Sequence, residues 1–231
     1  MGSAIGQALG SKGCSVIFTY RNSRKSADDA VSDLKKLGYQ ASSMPCDVSS
    51  GPAVLALFEQ ITKSPGRLDV LVNLASVYKS TDLSRDNEFK DWDSNLGANA
   101  KSAYMLSAAA APLMRKTGGG RIIHFSDWTS ASGRPRYPDY VPYFISKVAV
   151  KGVVEAMALS FAPEVLVNAI APGPILAPAG MTAEEDKKVR DATPLKRWGG
   201  PEEIARTVVF LAETDFVTGE TIRVDGGRHL Y

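Results

Sequence analysis

Tyr143 and Lys147 stand four residues apart in YFISK, inside a run that reads as a helix from Tyr140 to about Ser160. Residues at that spacing share one helix face. A free phenol has a pKa of about 10 and is a poor base at neutral pH. A neighbouring ammonium favours the phenolate and lowers that value. Such a tyrosine can give a proton to a substrate, or take one in the reverse direction. Asp127 follows the strand-like RIIHFS (Arg121–Ser126). An ionised carboxylate cannot donate to a carbonyl oxygen that is gaining negative charge, and would repel it. Asp127 could act when protonated, on a C=N substrate that is protonated at nitrogen, or only as a helix cap. Ser126 should face the other side of a continuing strand, which leaves Ser130 and Ser132 as alternative donors.

The elements that must position these groups alternate along the chain. Strand-like runs are Ser15–Tyr20, Gln40–Val48, Leu68–Ala75, Arg121–Ser126, Val165–Ala171 and Glu220–Gly227. Helical spacing marks Ala27–Gly38, Pro52–Lys63, Phe89 to Lys116, Tyr140 to Ser160 and Pro201–Ala212. Parallel strands with helical crossovers on both faces are the economical arrangement. No Pro/Gly/Ser-rich linker divides the chain, so residues 1–231 read as one doubly wound, three-layer α/β domain of Rossmann type. Trp128–Asp139 and Gly173–Asp191 read as irregular stretches after strand ends, where ligands sit in such sheets.

Composition excludes several classes of function. Apolar residues make up 44% and charged residues 23%, as in soluble globular chains. A net charge of +2 with no dense Lys/Arg run gives no reason to expect nucleic acid or an anionic membrane as partner. Cys14 and Cys46 make no metal-ligand spacing and read as buried reduced thiols. His124 and His229 lack partners for metal or triad chemistry and read as core or surface filling. No apolar run reaches the roughly 18 residues of a membrane span, and no signal peptide is visible. The expected location is the cytoplasm.

The chain opens on three glycines in one helical register, Gly2, Gly6 and Gly10. Each costs about 1 kcal/mol relative to alanine in a helix. They suit a helix lying close to a sheet, with an N-terminus offering amides to a phosphate. After the first strand come Arg21, Asn22 and Ser23, with no acid until Asp28. An acid there would serve a ribose hydroxyl, whereas Arg21 can pair with a 2′-phosphate and Asn22 and Ser23 can donate to it. The expected cofactor is therefore NADP(H). No strand precedes Gly2 in this sequence.

These residues resemble the short-chain dehydrogenase/reductase family over essentially the whole chain. The matches are Tyr143–Lys147 for Tyr-x-x-x-Lys, VNLAS (Val72–Ser76) for Asn-Asn-Ala-Gly, Asn99, CDV (Cys46–Val48), NAIAPGPI (Asn168–Ile175) and VDGG (Val224–Gly227). Three departures stand out. The first strand and the leading part of Thr-Gly-x-x-x-Gly-x-Gly are missing, Met1-Gly2 resembling its last two positions. Leu74 and Ser76 replace an asparagine and a glycine. Asp127 stands where the family usually has its catalytic serine, and with Ser76 this is similar to the pteridine reductase branch.

The resemblance implies roles for each position. Lys147 would also hold the nicotinamide ribose, and Asn99 would steady a water leading to Lys147. Asp47 and Val48 would line the adenine. Asn73, Ala75 and Ser76 would let the cofactor pass close to the chain. Pro172, Gly173 and Ile175 would turn amides toward the carboxamide, while Ala177 replaces a threonine and loses one contact. A homotetramer or dimer through the two long helices is implied as well. Trp128, Arg134, Arg136, Tyr137, Tyr140 and Tyr78 could stack on a planar ring or form a subunit interface. The activity implied is hydride transfer to or from a carbonyl, alcohol or C=N group. The alternative is a cofactor-binding or scaffold protein impaired by its missing first strand.

Overall fold

The β-branched and aromatic runs become strands, and the periodic runs between them become helices. The computed structural model describes residues 1–85 and 88–230. Its order is α1 (Gly2–Ser11), β1 (Val16–Tyr20), α2 (Arg24–Lys36), β2 (Ala41–Pro45), α3 (Gly51–Lys63), β3 (Val70–Asn73), α4 (Lys90–Asn95) and α5 (Ser102–Lys116). β4 (Gly120–Phe125), α6 (Trp128–Ala131), α7 (Val141–Phe161), β5 (Val165–Pro172), α8 (Ala183–Asp191), α9 (Pro201–Glu213) and β6 (Thr221–Val224) follow. Every strand pairing is parallel.

Strand alternation sends successive side chains to opposite faces. On β4, Ile122 packs with Leu57 of α3, Leu106 of α5 and Val154 of α7. Its neighbour Ile123 packs with Ile5 of α1 and Val208 of α9. Helices thus cover both faces, as expected for buried parallel strands. Full burial of one such side chain contributes about 1.5–3 kcal/mol.

Two of the three opening glycines, Gly6 and Gly10, are close-packing residues. A Cβ on Gly6 would lie 2.5 Å from Phe18 of β1, and one on Gly10 would lie 2.9 Å from the Tyr39 ring. Their helix-propensity cost is offset by the approach they permit.

Three expectations about the elements need correction. Trp128–Asp139 is not irregular throughout, because Asp127 caps the short helix α6 at its start. The long helical stretch before Lys116 is interrupted: Leu96–Lys101 forms a π-helical turn between α4 and α5. Gly173–Asp191 is not irregular throughout, because Thr182 and Glu185 cap each other reciprocally and start α8. That Thr-x-x-Glu spacing is the signature of a capping box. Both cysteines are free thiols, but Cys14 is only half-buried.

The sheet is in two pieces, β2-β1 and β3-β4-β5-β6, with no ladder between β1 and β3. Helix α1 spans the junction. Its Gly6 faces Phe18 of β1, and Val70, Val72 and Leu74 at β3 pack on the cluster that holds its Ile5. Val70, Leu71 and Val72 are only half-buried, whereas β5 is buried over nearly its whole length. Backbone groups at those two inner edges must find water instead of a ladder partner. Amide hydrogen exchange in β1 and β3 should therefore be faster than in β5, which is paired on both sides; equal protection in the three strands would contradict the open edges.

Candidate active site

Within each piece of the sheet, parallel pairing brings the carboxyl ends of the strands to one edge, where the chain leaves into loops. Arg21–Ser23 follow β1, Asp47–Val48 follow β2, Asn73 ends β3, Asp127 lies just beyond β4, and Pro172 ends β5. These positions singled out from sequence thus all stand at or just beyond the carboxyl ends of strands.

Among them is a carboxylate with two tasks. Asp127 has extended backbone and caps α6. Its Oδ1 accepts from the Thr129 amide at 2.8 Å and from the Thr129 hydroxyl at 2.5 Å. Its Oδ2 accepts from the Tyr143 phenol at 3.1 Å. One turn along α7, Lys147 donates from Nζ to the Phe125 carbonyl at 2.9 Å and lies 5.7 Å from the centre of the Tyr143 ring.

The electrostatics reverse the sequence expectation for Tyr143. Burial raises the pKa of its phenol, and Asp127 raises it further through its charge and by accepting the hydroxyl. Lys147 does not overcome this. Burial pushes its own pKa down to about 8, with the Asp127 charge opposing. A phenol in this setting is arranged to hold its proton and donate it. The spacing of Tyr143 and Lys147 could not show this, because burial and the neighbouring carboxylate are tertiary facts.

The alternative serine donors are engaged elsewhere. Ser126 Oγ meets Ser130 Oγ at 2.8 Å and donates to the Lys147 carbonyl at 3.0 Å. Ser132 Oγ is tied to the carbonyls of Trp128 and Thr129. The Asn99 side chain is likewise committed to the protein. Its Oδ1 accepts from Val77 N at 2.8 Å, and its Nδ2 donates to Val77 O at 3.1 Å and Ser146 Oγ at 2.8 Å. The side-chain amide therefore anchors the segment after β3 to α7. Ser146, three residues after Tyr143, was missed; only its place on the helix face hints at this role.

Aromatic residues close over the phenol. Tyr78 stacks on Tyr140 at 4.5 Å and meets Tyr143 edge-on at 4.7 Å, while Trp128 Nε1 donates to the Tyr137 hydroxyl at 3.1 Å. The ring contacts thus join residues near 78, 128 and 140 at Tyr143.

The backbone of the cofactor edge fits a phosphate-bearing ligand in part. Helix α1 starts without a side-chain cap, so the amides of its first turn lack intrahelical partners. A Cβ built on Gly2 would meet only Leu74 Cδ1, at 3.8 Å, leaving room for an anion. The Asp47 carboxyl is held below the usual range, chiefly by Ser49 and also by the charge of nearby Arg21. Asn73 Oδ1 accepts from Ala75 N at 3.2 Å and so shapes the turn leading to Ser76. At β5 the expectation needs adjustment. The Gly173 amide is bonded to Val224 O at 3.0 Å, and Ile175 is a core side chain. Gly173 is there because a Cβ would lie 2.6 Å from Asp225 Cα. Among the described residues no cluster suited to a metal ion occurs, and no helix is long and apolar enough to cross a membrane.

Comparison with known proteins places the chain in a family. A family model described as enoyl-(acyl carrier protein) reductase matches residues 1–229. The 3-oxoacyl-[acyl-carrier-protein] reductase FabG of Staphylococcus epidermidis is 31% identical over 235 residues, covering 100% of this chain and 95% of the relative. A short-chain dehydrogenase/reductase from Serratia marcescens superposes with a TM-score of 0.88 at 31% identity, over 99% of this chain and 93% of that one. FolM alternative dihydrofolate reductase 1 from Brucella canis, solved with NADP, superposes with a TM-score of 0.89 at 26% identity, over 100% of this chain and 90% of that one. The chain belongs to the short-chain dehydrogenase/reductase family and is an oxidoreductase of that type.

The buried ammonium has a consequence for stability. The folded pKa of Lys147, about 8, lies below its ordinary value of 10.5. Between those values the unfolded chain binds more protons than the folded one, so this residue makes stability rise with pH across that window. Chemical denaturation of wild type and Lys147→Met should show the rise from pH 8 to 10 in wild type only. The difference should be on the order of 1–3 kcal/mol. Parallel curves would contradict the assignment.

Proposed function

We propose that the chain is an NADP(H)-dependent reductase that acts on a C=N or carbonyl group of a small, flat molecule. The observation that carries this is the Tyr143 hydroxyl bonded to Asp127 Oδ2 at 3.1 Å, with Lys147 a turn away on the cofactor edge. When bound, the nicotinamide supplies the hydride. Tyr143 gives up its proton to the atom that gains electron density, and Lys147 offsets the charge left on the phenol. Arg21, Asn22 and Ser23 hold the 2′-phosphate, and the α1 N-terminus holds the pyrophosphate. Ala75 and Ser76 let the cofactor run beside the chain, and Val48 flanks the adenine.

Asp127 favours nitrogen over oxygen as the proton acceptor. A carboxylate that only accepts hydrogen bonds cannot stabilise a developing oxyanion. It can hold an N–H of the substrate and so orient a C=N bond. Stacked Tyr78 and Tyr140 beside Tyr143 offer a planar apolar wall to such a ring. NADP in the FolM structure from Brucella canis supports the cofactor assignment. Half-exposed Trp92, Tyr104, Ile145 and Val148 on α4, α5 and α7 support a homo-oligomer through these helices.

A second reading, a cofactor-binding protein with little turnover, is favoured by the split sheet alone. Tight NADPH binding without NADPH consumption on any cyclic imine or ketone would select it.

Two measurements test the first reading. Tyr143→Phe should lower kcat by on the order of 100-fold or more while NADPH still binds; an unchanged rate would remove Tyr143 from the chemistry. Asp127→Ser should move the ratio of kcat/KM for imine over ketone about tenfold or more toward the ketone. No change in that ratio would contradict the role given to the carboxylate.

A further inference from the structure

His124 is fully buried in the middle of the sheet, and core filling does not describe its contacts. Its cross-strand neighbour on β3 is Asn73, the residue that ends the strand at the cofactor edge. Asn73 Nδ2 lies 3.4 Å from His124 Nδ1 and 3.3 Å from Ser102 Oγ. On the far side of the ring, His124 Nε2 lies 2.7 Å from Ser107 Oγ.

The direction of every bond in this group can be deduced. Asn73 Oδ1 accepts from the Ala75 amide, so the Nδ2 group must point toward His124 and Ser102. An NH2 group only donates. His124 Nδ1 must therefore be an unprotonated acceptor, and Nε2 must carry the proton and donate to Ser107. Burial, aided by the charge of Lys147, pushes the pKa of His124 down to about 3, which keeps the ring neutral throughout the working range, while the Asn73 donor selects the tautomer. Ser102 accepts from Asn73 and donates onward to Ala98 O at 2.6 Å, inside the π-helical turn that displays Asn99.

We propose that His124 is a positioning residue: its Nδ1 fixes the Asn73 amide, which sets the Asn73–Ser76 turn along the cofactor path and couples that turn to the π-helical segment holding Asn99. Without an acceptor at Nδ1, one donor of the Asn73 amide loses a buried partner. The amide then gains a reason to rotate, and rotation sets its NH2 against the Ala75 N–H. The turn loosens at the place where the chain and the cofactor lie side by side. The inference rests on the cofactor path assigned above only for its effect on binding; the effect on the turn is independent of it.

The test uses two substitutions that split the ring's functions. An asparagine side chain places its oxygen near the Nδ1 position, whereas glutamine reaches the Nε2 position. In the ligand-free chain, amide hydrogen exchange at Ala75 should quicken about tenfold in His124→Gln and stay within about twofold of wild type in His124→Asn. Exchange at Ile123 and Val167, deeper in the ladder, should be unchanged in both. NADPH dissociation constants should follow the same order, about five- to tenfold weaker for the glutamine variant only. Should the glutamine variant not fold, His124→Phe takes its place against the asparagine variant. Equal Ala75 exchange in the two variants compared, whether slow or fast, overturns the proposal. Exchange that separates the variants while NADPH affinity does not would retain the turn and overturn the cofactor path.

Discussion

The site is organised by the hydrogen bond from the Tyr143 phenol to Asp127 Oδ2. The same carboxylate starts α6 through its other oxygen, so the strand that ends at Phe125, the helix that follows and the long helix α7 are fixed to one another at a single side chain. The proton on the phenol is a consequence of that bond. A buried tyrosine already resists ionisation, and a carboxylate accepting its hydroxyl adds to the resistance. Burial also lowers the pKa of Lys147, to about 8. The balance favours a group that gives its proton only when a substrate atom becomes more basic, as happens when hydride arrives.

Secondary structure delivers these groups by simple geometry. Parallel strands put the carboxyl ends within each sheet on one edge, and the helices return the chain across both faces. Helix α7 contributes through its 3.6-residue period, which sets Tyr143 and Lys147 on the face packed against β4 and β5. Behind the edge lies a second layer of polar groups: His124, Asn73, Ser102, Ser107, Asn99 and Ser146 are all buried and bonded to one another or to nearby backbone. Such groups are costly to bury without partners. With partners they hold the turns that face the ligand.

Much of this was legible in the sequence. Alternating strand and helix patterns located every strand among the described residues, and the Tyr143/Lys147 spacing marked two side chains that the fold sets one turn apart on α7. The opening glycines signalled close packing before Phe18 and Tyr39 were seen to need it. Other features were hidden because they depend on tertiary neighbours. The shift of Tyr143 reverses sign once Asp127 and burial are known. The anchoring of the Asn99 side chain to Val77 and Ser146 is a tertiary contact of the same kind. His124 looked like filling because its partners lie 51 and 17 residues away in sequence. Helix α8 was legible in principle, since Thr182 and Glu185 stand at capping-box spacing.

The divided sheet places the strongest demand on this arrangement, because β3 carries the Asn73 turn and has a ladder on one side only. The central claim, however, concerns a proton, and it can be read directly. Carbon-13 NMR of ring-labelled tyrosine, with Tyr143→Phe to assign the signal, follows the ionisation of this phenol in the ligand-free chain. The account predicts that Tyr143 still carries its proton at pH 10, where an ordinary tyrosine is about half ionised, and that Asp127→Asn moves its titration downward. A Tyr143 signal that is already phenolate near pH 7 would contradict it.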